Sequence, residues 1–308
     1  GGAGAGGYME GEAGAGALDV AGLLCDYASQ FKCGHQLQYF KLLDLGDRVR
    51  ALQQLLLDGG VGTNEELLGH IDGNGRHRSG LLEQSLQADG AGGEQAEFVD
   101  LCARAGRAAL EGGQYREALR LLHLGRCHNE VLQVLCRCLR LPIWRDPAAA
   151  SAEAANQLGQ DVQRFFTIYE RNLDRYALAS AAWGVARGLF AARMFHALCE
   201  RGQPEAALDV FDRERLLPLD GAAEQARSRQ DGPAAAAAAE VEGELAGEYP
   251  RIVANYVQIL RHAASQGAVA SAALQSRVRQ LQTFLAVHAH RLVLDQETTA
   301  SLASLTLC

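Results

Sequence analysis

The sequence predicts an all-α fold, and more narrowly an elongated irregular α-solenoid of stacked antiparallel helix pairs. Its apolar residues are mainly Ala and Leu, which favour helices, whereas aromatic residues make up only 6% of the 308 residues. Apolar residues recur at intervals of three and four along most of the chain, and almost no segment alternates between apolar and polar residues. This composition and this periodicity argue against a β-sandwich or a β-barrel.

A succession of helices is predicted from Leu18 onward, separated by breaks at Gly, Pro and Asn. The clearest covers Asp161–Ser180, where one face is apolar, the other is charged, and Asp161 is expected to cap the first turn. A further apolar stripe then continues to Arg201. The other helices are predicted, in chain order, over Leu18–Gln30, Leu37–Leu45, Arg48–Leu57, Asn64–Ile71, Gln95–Glu111, Tyr115–Leu124, Asn129–Leu139, Pro204–Arg213, Glu248–His262 and Leu274–Leu292.

Three predicted helix-turn-helix corners share one pattern, in which a turn glycine is followed by Ala-Leu and then by a large apolar residue. The turn glycines are Gly46, Gly113 and Gly202. Glycine tolerates the left-handed turn, Ala lets the second helix approach the first closely, and the larger side chains fill the seam. Because the separations between the corners are unequal, they predict an irregular solenoid rather than a regular tetratricopeptide array.

The expected domain organisation is a Gly/Ala-rich linker over residues 1–17 and a helical solenoid over residues 18–308. Mobile loops are expected near 141–156, 220–247 and 262–273, where Pro, Gly and Ala-rich runs replace large apolar side chains. The first residue is Gly1 rather than Met, so the sequence is expected to be the C-terminal portion of a longer protein.

Charge and hydropathy exclude several classes of partner. The formal net charge is −8, and no segment gathers many Lys or Arg on one face, so no direct nucleic-acid or anionic-membrane partner is expected. No uninterrupted apolar run is long enough to span a bilayer, so no transmembrane segment is expected. The eight cysteines follow no signal peptide, which favours a reducing compartment.

Catalytic and cofactor motifs are absent from the sequence. Gly2, Gly4 and Gly7 have the spacing of a dinucleotide-binding loop, but no apolar strand precedes them and no helix follows, so a linker is favoured. There is no His-Glu-x-x-His, Gly-x-Ser-x-Gly, Walker or Cys-x-x-Cys motif. We therefore expect no enzyme and no cofactor, with no catalytic, cofactor-binding or metal-binding residue, and the sequence leaves the partner-binding residues unknown.

One cluster contains the residue types that bind metals: His123, Cys127, His128, Cys136 and Cys138. Its spacing does not match a closed zinc site, so buried thiols are favoured over metal ligands.

Other histidines and aromatic residues are also expected to be structural. The remaining histidines lack acidic residues at an orienting spacing; they include His70, His77, His288 and His290. An aromatic stripe at helical spacing is expected to lie in the core and consists of Phe165, Phe166, Tyr169 and Trp183.

Six groups of residues form an ordered set along the chain: Leu37–Asp44, Asp72–Gly73 with Arg78–Leu82, Ala109–Ala118, Met194–Gly202, Ala207–Leu219 and Leu281–Arg291. The fifth ends in a Leu-Pro-Leu corner, and the sixth is a last helix before the chain end. Taken in order, these segments resemble the C-terminal half of the nucleoporin-interacting-component family, the large inner-ring scaffold nucleoporins.

The resemblance implies an α-solenoid that is a structural constituent of the nuclear pore complex at the nuclear envelope, and no enzyme. It implies roles in nucleocytoplasmic transport of protein and mRNA and in pore assembly. The implied partners are other nucleoporins, especially linker nucleoporin peptide segments, within a large hetero-oligomeric assembly. In the family, the helices that recruit channel nucleoporins lie near the N-terminus, which this sequence is expected to lack.

Two other hypotheses about the function remain open from the residues alone. A subunit of a vesicle coat or tethering complex would also use irregular helix pairs. An all-α enzyme with a metal or isoprenoid site would need several carboxylates facing one cavity, and the sequence offers no carboxylate pair on an otherwise apolar helical face.

Overall fold

The computed structural model describes residues 20–28, 30, 38–39, 42–58, 65–87, 94–141, 152–219, 243–265, 272–288 and 292–306. Its main elements are thirteen helices and one β-hairpin within these ranges. They are α1 Val20–Ala28, α2 Leu45–Asp58, β1 Gly69–Ile71, β2 His77–Ser79, α3 Leu81–Gln87, α4 Glu94–Glu111, α5 Tyr115–Leu124, α6 His128–Leu139, α7 Ala152–Arg171, α8 Leu173–Tyr176, α9 Ser180–Glu200, α10 Pro204–Glu214, α11 Tyr249–Ser265, α12 Ala272–His288 and α13 Gln296–Thr306.

Two of the three expected corners are confirmed. Gly113 between α4 and α5 has φ +74°, and Gly202 between α9 and α10 has φ +67°, so both use the left-handed turn that glycine adopts without strain. In each case the helices on the two sides pack against each other as a helical hairpin. The following alanines, Ala118 and Ala207, are fully buried in the two seams.

The third expected corner is wrong. Gly46 lies in the first turn of α2 rather than in a turn between helices. The helix begins here because the Asp44 carboxylate accepts a hydrogen bond of 2.9 Å from the backbone N–H of Asp47 and so caps the first turn. Ala51 and Leu52 are nevertheless buried as the pattern predicts.

Helix α7 begins earlier than predicted. The helix starts at Ala152, so residues 152–156 lie in its first turns and not in a loop as expected. The high helix propensity of Ala explains this difference. Asp161 is therefore not an N-cap but a buried mid-helix residue, 2.7 Å from Arg116 Nε. The predicted helix also does not run unbroken to Ser180, because α7 ends at Arg171, Asn172 separates it from α8, and Ala177 adopts a left-handed conformation with φ 45°.

The helix predicted over Asn64–Ile71 is also wrong. Residues 65–68 are helical, but Gly69–Ile71 pairs antiparallel with His77–Ser79. The four residues that follow Ile71, Asp-Gly-Asn-Gly, favour a tight turn and explain the reversal.

The helices pack in a chain of neighbours. Helix α2 contacts α4, α4 contacts α5, α5 contacts α6, and α6 contacts α9. Helix α9 then contacts α10 and α11, and α11 contacts α12 and α13, while α7 covers α5 and α6. The core is a continuous set of buried Leu, Ala, Val and aromatic side chains along this succession. The described chain is therefore an irregular α-solenoid, as the sequence predicts.

The other expected loops lie partly outside the described residues. Residues 1–17, which include Gly2, Gly4 and Gly7, most of Leu37–Leu45, and the centres of the three loops are among those not described. At the described edges, residues 243–245 are helical, α11 extends to Ser265 and α12 begins at Ala272. The two helices α3 and α13 were not predicted.

Candidate functional site

The turn of the β-hairpin is built by one carboxylate. Asp72 Oδ1 accepts hydrogen bonds of 2.8 Å from the backbone N–H groups of Asn74 and Arg76. These hydrogen bonds, led by the one from Arg76, lower the pKa of Asp72 because they stabilise its charged form. The carboxylate thereby fixes the turn that presents Gly75 and Arg76 to the helices.

The hairpin turn docks closely against helices α7 and α8. A Cβ atom added at Gly75 would lie 2.2 Å from Tyr176 Oη and 2.6 Å from Ile168 Cγ2, so only glycine fits here. The Tyr176 hydroxyl donates to the Gly75 carbonyl at 3.4 Å, and the Arg164 guanidinium donates to the Ile71 carbonyl. These contacts hold the hairpin over a surface formed by α5, α6, α7 and α8.

His77 anchors the base of the hairpin. Its Nε2 donates to the Leu68 carbonyl at 2.7 Å, because a carbonyl can only accept. Its Nδ1 lies 3.3 Å from the buried Glu83 carboxylate, and its ring stacks on Phe98. The sequence assigned no acidic partner to His77, and the short helix α3 supplies one.

A buried histidine-tyrosine cluster lies beneath the turn. Tyr169 Oη is 3.1 Å from His123 Nδ1 and 2.9 Å from His128 Nδ1. One phenol can donate to only one of these nitrogens and accept from the other, so the two rings are assigned opposite roles. The Tyr176 ring completes the cluster, with its centroid 4.4 Å from that of His128.

Burial favours the neutral form of both of these histidines. Burial and, after it, the neighbouring His128 lower the pKa of His123 from 6.5 to about 4. Burial also lowers the pKa of His128, followed by the positive charges of Arg126 and Arg175. The pKa of Tyr169 is raised by burial.

A cleft of about 540 Å³ opens between the hairpin and these helices. Its rim carries the guanidinium groups of Arg76, Arg126 and Arg175, all on exposed residues. Its walls include His77, Phe98, His128 and Tyr176. The cleft is therefore lined by exposed arginines at its rim and by more deeply buried imidazole and aromatic rings.

The cluster of metal-ligand residue types is only partly brought together. His123 and His128 meet at Tyr169, whereas Cys127 lies 3.6 Å from Arg107 Nη2. Burial raises the pKa of Cys136 to about 11 and that of Cys138 to about 12. Over the described ranges, no group of three His, Cys, Asp or Glu side chains could hold a metal ion.

The aromatic stripe lies in the core, as expected. Phe165, Phe166 and Tyr169 are buried, and Trp183 is half-buried with its ring stacked on Phe166. Nothing in the sequence connects Arg76, Arg126 and Arg175, since they lie in three distant segments. No spacing signal in one chain could have linked them.

Comparison with known proteins identifies the family. The Nic96 family model, described as Nup93/Nic96, matches residues 11–292. The chain belongs to this family. The predicted resemblance to the inner-ring scaffold nucleoporins is thereby confirmed, and Asp72–Gly73, one of its segments, forms the hairpin turn at the cleft.

A solved structure shares the fold of this Nup93/Nic96 family member. The crystal structure of Chaetomium thermophilum Nic96 SOL superposes with a TM-score of 0.63 at 17% sequence identity. The match covers 92% of this chain and 46% of that one, so the chain spans about half the length of that relative. No curated protein matches the chain. In the part of the chain that the structure describes, no helix is both long and apolar enough to cross a membrane.

Proposed function

We propose that this chain is a structural constituent of the nuclear pore complex, an inner-ring scaffold nucleoporin located at the nuclear envelope. The observation that carries the proposal is the match of the Nup93/Nic96 family model to residues 11–292. The helical solenoid supports it, because stacked helix pairs hold partners at fixed distances without chemistry of their own. The proposed solenoid covers residues 18–308, and residues 1–17 are a linker that precedes it.

Charged side chains between neighbouring helices fit a scaffold that keeps its shape. Arg116 on α5 donates to the Asp161 carboxylate on α7 at 2.7 Å. On the far side of the solenoid, Arg277 on α12 donates to Asp212 on α10 at 2.9 Å and to Tyr256 Oη on α11 at 3.3 Å. Such pairs fix the register between helices more than they add net stability, because exposed ion pairs are individually weak and a buried pair must first offset the cost of removing its charges from water.

The proposed partners are other nucleoporins, especially linker nucleoporin peptide segments, in a large hetero-oligomeric assembly. In this role the chain supports transport of protein and mRNA and assembly of the pore, and it catalyses no reaction. Extended or helical segments bind helical scaffolds in the grooves between neighbouring helices, where exposed apolar side chains give affinity. Met194 on α9 and Val287 on α12 are exposed apolar side chains available for such a contact.

The test is affinity capture from a nuclear-envelope extract with the 308-residue chain as bait, at low and at high salt, followed by mass spectrometry. Recovery of inner-ring nucleoporins that persists at high salt is the expected result, since contacts through apolar grooves are not screened by salt. Recovery of vesicle-coat or tethering subunits in their place would contradict the proposal and favour the coat alternative.

A further inference from the structure

The cleft beside the hairpin concentrates positive charge in an acidic protein. The chain carries a net charge of −8, yet Arg76, Arg126 and Arg175 all line this cleft, from the hairpin turn, the α5–α6 turn and α8. Among the residues that the structure describes, no carboxylate forms a salt bridge with any of the three. Arginines on other helices, such as Arg107 and Arg116, do form such pairs.

Two carboxylates near the cleft, Glu83 and Asp72, form no salt bridge with its three arginines in the described residues. Glu83 is buried in the wall and lies against His77. Asp72 is held by the backbone N–H groups of the hairpin turn, and the charge of Arg76 also lowers its pKa, so Asp72 offsets part of that one charge. The charges of Arg126 and Arg175 reach the half-buried His128, whose pKa they help to lower. Arg126 and Arg175 therefore leave positive charge at the cleft that an anion would relieve.

The volume of the cleft and the charge of the protein surface around it indicate which kind of anion fits. A volume of about 540 Å³ is far larger than one inorganic anion needs and suits several side chains of a peptide. A nucleic acid or a membrane surface would extend beyond the cleft and meet the acidic surface that the net charge implies. A short acidic segment avoids this repulsion, and guanidinium groups bind carboxylates with two parallel hydrogen bonds.

We propose that the cleft binds an acidic peptide segment of a partner protein, with Arg76, Arg126 and Arg175 contacting its carboxylates. Tyr176 and Phe98 provide apolar surface for the stems of the bound side chains. The inference rests on the proposed scaffold function, because it names the chemistry of one partner segment and the place where it binds.

A matched pair of arginines allows a test that leaves the fold intact. Arg126 and Arg215 each follow a helix with a left-handed conformation, φ 55° and φ 49°, in the position where glycine is usual. Both residues are exposed, but only Arg126 lines the cleft. Replacing either by Gly removes the guanidinium and relieves the left-handed strain, so both variants are expected to fold.

The probe is a fluorescein-labelled peptide of alternating glutamate and glycine, and its counterpart has glutamine in place of glutamate. Fluorescence anisotropy with the 308-residue chain is expected to show binding of the glutamate peptide only. Arg126→Gly should weaken this binding about tenfold, the value for loss of one charged hydrogen-bonding group, while Arg215→Gly changes it less than about twofold. Equal effects of the two substitutions, or no binding to the unmodified chain, would overturn the proposal.

Two further arms separate the alternatives. Anionic phospholipid vesicles and a single-stranded oligonucleotide are offered as competitors, and displacement of the peptide by either at a lower concentration than unlabelled peptide would overturn the choice of occupant.

The affinity capture described above is repeated with Arg126→Gly. If nucleoporins are still recovered by the unmodified chain but the peptide does not bind it, the cleft proposal fails and the scaffold function stands. If the peptide binds but no nucleoporin is recovered, the scaffold function fails.

Discussion

Acidification should destabilise this fold through protonation linked to the buried His123. His123 lies beneath the hairpin, is 6% exposed, and has a pKa lowered from 6.5 to about 4, chiefly by burial. His128, His77 and Arg175 face it from neighbouring elements, and their electrostatic interactions with His123 lower its pKa in the same direction. In the unfolded chain, the same side chain takes up a proton below pH 6.5.

The size of this loss in stability follows from the difference between the pKa of His123 in the folded chain and in the unfolded chain. His123 is neutral in both states above pH 6.5, so its contribution to stability is fully present there. As the pH falls from 6.5 to about 4, only the unfolded chain binds the proton, and the free energy of unfolding drops by about 1.4 kcal/mol per pH unit. The total loss attributable to His123 is on the order of 3 kcal/mol, and it levels off below about pH 4.

The assay is urea unfolding followed by circular dichroism across this pH range, for the unmodified chain and for His123→Gln. Other groups titrate in the same range, so the decisive quantity is the difference in unfolding free energy between the two chains at each pH. That difference should shrink by about 3 kcal/mol between pH 7 and pH 4. His70→Gln, at an exposed position, is the control and should follow the unmodified chain. A difference that is independent of pH would refute the reasoning.

Two further predictions concern packing and buried charge. Gly75→Ala places a Cβ atom against Tyr176 Oη and should lower the free energy of unfolding by about 1–3 kcal/mol, whereas Gly73→Ala, with open space around it, should change it by less than about 1 kcal/mol. Thermal and urea unfolding measure both, and equal losses would show that the turn is not docked as described. Asp161→Asn removes the buried carboxylate that faces two arginines of α5 and should cost about 2–3 kcal/mol, against less than about 0.5 kcal/mol for Asp100→Asn in an exposed pair. A loss at Asp161 no larger than that at Asp100 would contradict the buried role assigned to this carboxylate.

Helical periodicity was sufficient for most of the solenoid. Helix α5 has the predicted bounds Tyr115–Leu124, because its apolar face and its flanking glycine are both local signals. The turns at Gly113 and Gly202 were predicted for the same reason, since the left-handed conformation selects glycine from sequence alone. Where two local signals competed, as at Gly46, the nearby Asp44 cap prevailed over the turn.

The features that escaped prediction depend on contacts between distant segments. Each strand of the hairpin is three residues long, too short to show alternation, and its docking depends on Tyr176 more than ninety residues later in the chain. The sequence predicts a cap at Asp161 because nothing local indicates its partner, Arg116, which lies in another helix. The rim of the cleft likewise depends on tertiary structure, because its arginines have no shared spacing or motif in the sequence.

The central claim is that the chain is a fixed part of the nuclear pore scaffold, and imaging in living cells tests it most directly. The 308-residue chain is fused to a fluorescent protein, and recovery after photobleaching is recorded at the nuclear envelope. The account predicts a punctate nuclear rim with slow recovery, as expected for a stably incorporated scaffold. A diffuse signal, or puncta on cytoplasmic vesicles that recover quickly, would contradict it.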